Sequence, residues 1–256
     1  SLIPSGSTFK PMTAIAGLQT GVINASSTYR DEGKFDIGGG VIDHFVTDGA
    51  LGLVNVVSAI EKSSNPFFMN VGGLLRAKFG DDILAKYAWG FGLGANPNST
   101  KPGTGIEINE NFGQVYNTAS QKKMSAEQYL LSVEQDLTKG ISGKGKKINK
   151  IDLYDKVYDD DKVLEIKNEI KNNIKDSVKN GTFVESNYEK LFKKLIAADP
   201  KYKGQDINDA QLTAVVNDVN FQVKTGHASL SFPYNMYISS IGQRSEEHTS
   251  ELQSQP

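Results

Sequence analysis

Ser7 and Lys10 stand at i and i+3 near the start of the chain, and Ser63 and Asn65 follow about fifty residues later. The first pair offers a hydroxyl nucleophile and an amine one turn apart. A free serine hydroxyl is a poor nucleophile and needs an adjacent base. A lysine can be that base only where burial or neighbouring charge lowers its pKa from about 10.4 toward neutrality. The second pair adds a hydroxyl that could carry a proton and an amide that could hold a substrate. Each pair alone has a plainer reading, a Ser/Thr helix cap with an exposed lysine on its first turn and an Asn helix cap. Taken together and in this order, they point to serine acyl transfer with lysine in place of histidine.

The flanking residues indicate how these groups are held. Pro11 lacks an N–H, so a helix tolerates it only in its first turn, although it disfavours the α region at Lys10. The helix is therefore expected to start near Ser7 or Thr8, with Ser7 at the positive end of its dipole and Lys10 on the same face. From Ala50 to Ile60 a helical apolar stripe (Leu53, Val54, Val57, Ile60) runs until Glu61-Lys62. Asn65-Pro66 reads as an N-cap and first helical residue, opening a helix through Phe67, Val71, Leu74 and Leu75. Ser63 and Asn65 are thus predicted on a tight corner between helices.

The longer context carries a resemblance. P-S-G-S-T-F-K-P-M-T-A-I-A-G-L (4–18) resembles the nucleophile helix of the class B penicillin-binding protein transpeptidases, and A-I-E-K-S-S-N-P-F-F (59–68) resembles their second motif. Residues 21–35, W-G-F-G-L-G (89–94), T-G-I-E-I-N-E-N-F-G (104–113) and S-F-P-Y-N-M-Y-I-S-S-I-G-Q (231–243) are similar to further family segments. The resemblance implies an α/β (α+β) transpeptidase fold of the penicillin-binding-protein and serine β-lactamase type. It implies D,D-transpeptidation in peptidoglycan synthesis, with Ser7 as nucleophile, Lys10 as base, Ser63 as proton relay and Asn65 binding substrate. Peptidoglycan stem peptides and β-lactam antibiotics are the implied ligands, other cell-wall synthesis proteins are possible partners, and no cofactor is needed. The implied setting is the extracytoplasmic face of the bacterial cytoplasmic membrane. A β-lactam-sensing receptor or a serine β-lactamase shares these motifs, and a non-catalytic cell-wall scaffold is the alternative of another class.

The family's third motif, K-[TS]-G-[TS], lies on a cleft-lining strand downstream of the I-G-Q segment. Lys224-Thr225-Gly226 matches three of its positions, but His227 follows and the match precedes I-G-Q. Val219 to Val223 alternates like a strand, which makes this triplet a candidate, but a coincidence within an insertion is the favoured reading. Residues 244–256 begin R-S-E-E-H-T-S-E-L-Q-S, which is the translation of a common sequencing adapter, and are expected to be a non-native disordered tail. On this reading the chain is a fragment with impaired activity, lacking the membrane anchor and the third motif. Its expected divisions are 1–118, a polar helical insertion at 119–230, a return to the core at 231–243, and the tail.

Within the insertion, Val163, Ile166, Ile170, Ile174 and Val178 recur at helical spacing, as do Tyr188, Leu191, Phe192, Leu195 and Ile196. Two amphipathic helices joined around Asn180-Gly181 are predicted, with 140–147 a glycine-lysine connector. Residues 151–200 hold nine Lys against eleven Asp plus Glu, which describes a solvated face and not a nucleic-acid surface. The net charge of −2 agrees. No stretch approaches the ~18 apolar residues of a membrane span, and the absence of cysteine excludes disulfides and thiolate chemistry. Gly38–Gly40 lack the G-K-[ST] of a phosphate loop and read as turn residues. His44 beside Asp43 reads as a loop residue, and no metal-ligand cluster is visible.

Overall fold

A computed structural model of the chain describes residues 5–37, 42–43, 49–96, 113–140, 142–143, 146–147, 150–205, 207–230 and 234–242. Gly38–Gly40, His44, almost all of 104–113 and the tail at 244–256 lie outside the described residues. The chain forms two compact units, Ser1–Thr118 with Pro233–Pro256, and Ala119–Phe232.

The first unit is built around α1 (Lys10–Thr20) and α3 (Asn65–Phe79), which pack on each other. A 3-10 turn, Gly6–Phe9, leads into α1, and Pro11 occupies the first turn of the α-helix. The α-helix thus begins three residues later than Ser7, and Lys10 adopts α conformation (φ −55°, ψ −39°) despite the proline after it. Strand β1 (Thr28–Asp31) pairs antiparallel with β4 (Gly52–Asn55), with Thr28 opposite Asn55 and Asp31 opposite Gly52. Two further short strands, β2 (Phe35–Asp36) and β3 (Ile42–Asp43), pair with each other.

The stripe at 50–60 is not one helix. Residues 52–55 form β4, and α2 covers only Val56–Glu61. A capping box makes the break: Asn55 Oδ1 accepts from the Ser58 N–H, and Ser58 Oγ accepts from the Asn55 N–H. The faces differ accordingly. Leu53, Val57 and Ile60 are exposed, while Val54, Val56 and Ala59 are buried. Helix α4 (Ile83–Gly90) packs on α1 and α3, and α9 (Tyr234–Ser240) lies along α3. That approach depends on small residues, since a Cβ at Gly72 would stand 2.7 Å from Ser240 Cβ and one at Gly73 2.8 Å from the Tyr237 ring. The core joins Ala16, Val54, Phe67, Phe68, Val71 and Leu75 to Met236 and Ile238.

The second unit is helical: α5 (Thr118–Lys139, its first residue in the first unit), α6 (Asp161–Asn180), α7 (Glu185–Ala198) and α8 (Asp209–Leu230). Asp160 caps α6 by accepting from the Val163 N–H, and Gly181 ends it in the left-handed region at φ 70°. The apolar stripes of α6 and α7 close on Val215, Val216, Val219 and Val223 of α8 in one core. Part of the glycine-lysine connector is ordered as a pair of two-residue strands, β5 (Ser142–Gly143) and β6 (Lys146–Lys147). Among the described residues no helix is long and apolar enough to cross a membrane.

Val219 to Val223, expected as a strand, is helical. Val215, Val216, Val219 and Val223 fall on one buried helical face, a spacing that a five-residue window cannot separate from strand alternation. Lys224, Thr225 and Gly226 therefore belong to a helix and not to a cleft-lining strand. Thr225 Oγ1 donates to the Phe221 carbonyl, and Gly226 lies against the Tyr129 ring.

Candidate active site

The 3-10 turn brings the first pair together. With three residues per turn, positions 7 and 10 stand in line, and the Lys10 N–H donates to the Ser7 carbonyl. The side chains follow: Lys10 Nζ lies 3.0 Å from Ser7 Oγ. Ser7 is exposed, whereas Lys10 is 2 % exposed. The hydroxyl thus faces solvent and the amine lies beneath it.

The second motif arrives from the corner between α2 and α3. The Ser63 N–H donates to the Ile60 carbonyl and the Ser64 N–H to the Ala59 carbonyl, which is a Schellman ending for α2. Its left-handed position, usually glycine, is held by Ser63 at φ 56°, the one non-glycine residue with positive φ among the described residues. A non-glycine residue in that region carries about 1–3 kcal/mol of strain. The side chain obtained in return lies against Lys10: Nζ is 2.7 Å from Ser63 Oγ and 2.7 Å from the Ser63 carbonyl oxygen. Ser63 Oγ also donates to Ser7 Oγ at 2.9 Å.

Ser7 Oγ, Lys10 Nζ and Ser63 Oγ thus form a closed triangle with edges of 3.0, 2.7 and 2.9 Å. An ammonium has three N–H donors and here meets three acceptors, two hydroxyls and a carbonyl. Burial pushes the amine down from its ordinary 10.5 to about 8, against the opposing charge of Asp31. Roughly a tenth of such amines are neutral at pH 7 and half at about 8. A neutral amine in this place can take the Ser7 proton, and Ser63 offers a second route for it.

Asn65 does not cap α3. Ser64 is the cap, its Oγ accepting from the Phe67 N–H at 3.2 Å, and Asn65 and Pro66 are the first two helical residues. Asn65 is half-buried on the first turn, two residues from Ser63. Two groups escaped the sequence reading. Asp31, 2 % exposed, ends β1, and its carboxylate accepts from Ser64 Oγ and from the Gly33 N–H. Strand periodicity held the clue, because Asp31 shares its face with half-buried Tyr29 while Thr28 and Arg30 are exposed. The other group is Gly242, whose carbonyl accepts from the Gly6 N–H at 2.8 Å. A Cβ there would overlap the Gly6 carbonyl and stand 2.6 Å from Phe9 Cβ. The turn that carries Ser7 is therefore seated on a residue more than two hundred positions away. Nearby, Thr13 Oγ1 donates to the Ser240 carbonyl at 2.6 Å. Among the described residues no group of three or more His, Asp or Glu side chains is placed to hold a metal ion.

The fold and this hydroxyl–amine centre meet a family finding. The model of the penicillin binding protein transpeptidase domain matches residues 1–233, and the chain belongs to that family. The matched range takes in the helical second unit as well as residues 1–118 of the first. Comparison with the curated proteins gives no match. Membership carries penicillin-binding, transpeptidase-type function in general, with peptidoglycan and β-lactams as the ligand classes.

Proposed function

We propose that this chain is a serine D,D-transpeptidase of cell-wall cross-linking, acting through an acyl-enzyme on Ser7. The observation that carries this reading is the Ser7–Lys10–Ser63 triangle with its buried, pKa-lowered amine. Neutral Lys10 takes the Ser7 proton as Oγ bonds to the penultimate D-alanine carbonyl carbon of a stem peptide. The tetrahedral intermediate collapses, its C–N bond breaks, and Ser63 passes its proton to the departing D-alanine amine while taking one from the Lys10 ammonium, which becomes neutral again. The amine of a second stem peptide then attacks the ester and loses its proton to the same base, and the ester C–O bond breaks as that proton returns to Ser7 Oγ. Asn65 holds the donor peptide's amide. The Ser7 N–H is one oxyanion donor, and a single donor of this kind is worth about 10²–10³ in rate. A β-lactam follows the first half of this path, and its opened ring keeps the leaving amine tethered. The setting of this chemistry is the extracytoplasmic face of the cytoplasmic membrane, where stem peptides are found.

The test is incubation of the chain with fluorescent penicillin, read by intact mass, beside Ser7→Ala. One covalent equivalent on the wild type and none on Ser7→Ala is expected. A wild type that stays unmodified while its helical circular dichroism is normal would sink this reading.

A further inference from the structure

We propose that Asp31 is a positioning residue for the acyl-transfer centre, holding the Ser63 corner against Lys10 through the hydroxyl of Ser64. This inference rests on the proposed roles of Ser7, Lys10 and Ser63. Asp31 touches none of the reacting atoms. Its carboxylate spans two elements, with one oxygen accepting from the Gly33 N–H at 2.8 Å and the other from Ser64 Oγ. Ser64 in turn caps α3 through the Phe67 N–H, and its own N–H closes the end of α2 on the Ala59 carbonyl. Ser64 is 2 % exposed, so the contact is sealed from water.

The physical need for such a tie lies one residue away. Ser63 sits in the left-handed region, and strained residues persist only where their surroundings over-determine them. Lys10 binds Ser63 through both its carbonyl and its hydroxyl, so any drift of the corner removes two of the amine's three acceptors. Ser64 is the next residue, and Asp31 anchors it to β1, which is itself registered against β4 immediately before α2. The tie thus locks the strand pair, the helix corner and the base in one assembly. Tyr29 is a further titratable group beside it, on which the charges of Asp31 and Glu32 both act, and Asp31 is the charged group that acts on Lys10.

Asp31→Ala, Asp31→Asn and Ser64→Ala separate this role from bulk stability. Asparagine matches the carboxylate in shape. Its Oδ1 can accept from Gly33 and its Nδ2 can donate to Ser64, so the tie survives without the charge. Two readouts are taken on the full chain: the rate of acylation by fluorescent penicillin, and amide hydrogen exchange of the peptide covering 62–68. Asp31→Ala and Ser64→Ala are each expected to slow acylation about 10- to 100-fold, the scale of one lost hydrogen bond to a charged group. Both should also speed exchange at 62–68. The double variant should be no worse than the poorer single one, and Asp31→Asn should restore both readouts to within about threefold of wild type. Wild-type rate and exchange in Asp31→Ala would overturn the proposal, as would an Asp31→Asn variant no better than Asp31→Ala. If Asp31→Ala fails to fold, Ser64→Ala and Asp31→Asn decide it. If the wild type is not acylated at all, the proposed function fails, while exchange across the three variants still decides whether Asp31 holds the corner.

Discussion

Among the described residues two lysines lie buried, Lys10 in the first unit at 2 % exposure and Lys167 in the second at 0 %. Lys10 Nζ meets two hydroxyls and a carbonyl, all neutral acceptors. Lys167 Nζ meets the Tyr154 carbonyl at 2.8 Å and the Asp159 carboxylate at 2.6 Å. A carboxylate in direct contact compensates the ammonium charge, so Lys167 works as a staple between α6 and the segment before it. Neutral acceptors in direct contact leave the burial of Lys10 only partly offset, and its amine is pushed down to about 8. The difference teaches that where the nearest carboxylate stands decides whether a buried lysine can serve as a base or as a brace. Asp31 is near enough to oppose the shift at Lys10, but its oxygens are occupied by Ser64 and Gly33.

The strongest way to break this contrast is Lys10→Met. Loss of a general base is worth about 10²–10⁴ in rate, and acylation by penicillin should fall by about 10³. In the wild type the same rate should climb as pH rises through about 8, because the neutral amine is the active form. A rate flat between pH 6 and 9 would mean that Lys10 is not the base.

Lys167→Met probes the other side. It leaves the Asp159 carboxylate buried without its ammonium, and stability in urea should fall by about 3 kcal/mol. Burial pushes the Asp159 carboxyl up, but hydrogen bonds from Lys167 and the Lys156 N–H, with the Lys167 charge, outweigh it and hold it below the usual range. The folded pKa is depressed, so this stabilisation is present above the unfolded value of about 3.9 and is lost as pH falls through the folded one. The gap between wild type and Lys167→Met should therefore narrow below about pH 4. A gap that is constant with pH would assign the loss to packing instead.

Ser63→Gly sharpens the comparison within the first unit. Glycine suits the left-handed corner, so stability should stay within about 1 kcal/mol of wild type while adduct formation drops. A loss of more than about 2 kcal/mol would make the Ser63 side chain structural. The smallest effect is expected at Lys194, paired with Glu169 at 3.1 Å with both side chains nearly half exposed. Lys194→Ala should shift stability by less than about 0.5 kcal/mol, and a larger change would show that exposed pairs also brace the second unit.

The sequence alone determined the identities and order of the candidate groups, because a hydroxyl, an amine and an amide at set spacings are local facts. It also determined α6 and α7, whose apolar periodicity runs for several turns, with α6 ending on the left-handed Gly181. Short windows were ambiguous: 50–60 divided into β4 and α2 at Asn55, and Val219–Val223 proved helical in the company of Leu212, Val215 and Val216. Tertiary structure decided the rest. The Ser7–Lys10–Ser63 triangle exists because α1 and the α2–α3 corner meet, the amine's lowered pKa comes from burial, and the seat of the turn that carries Ser7 is Gly242, 236 positions beyond Gly6. Asp31 is the clearest case. Its chemistry was present in the sequence, but its role depends on Ser64, a partner that only folding brings within reach.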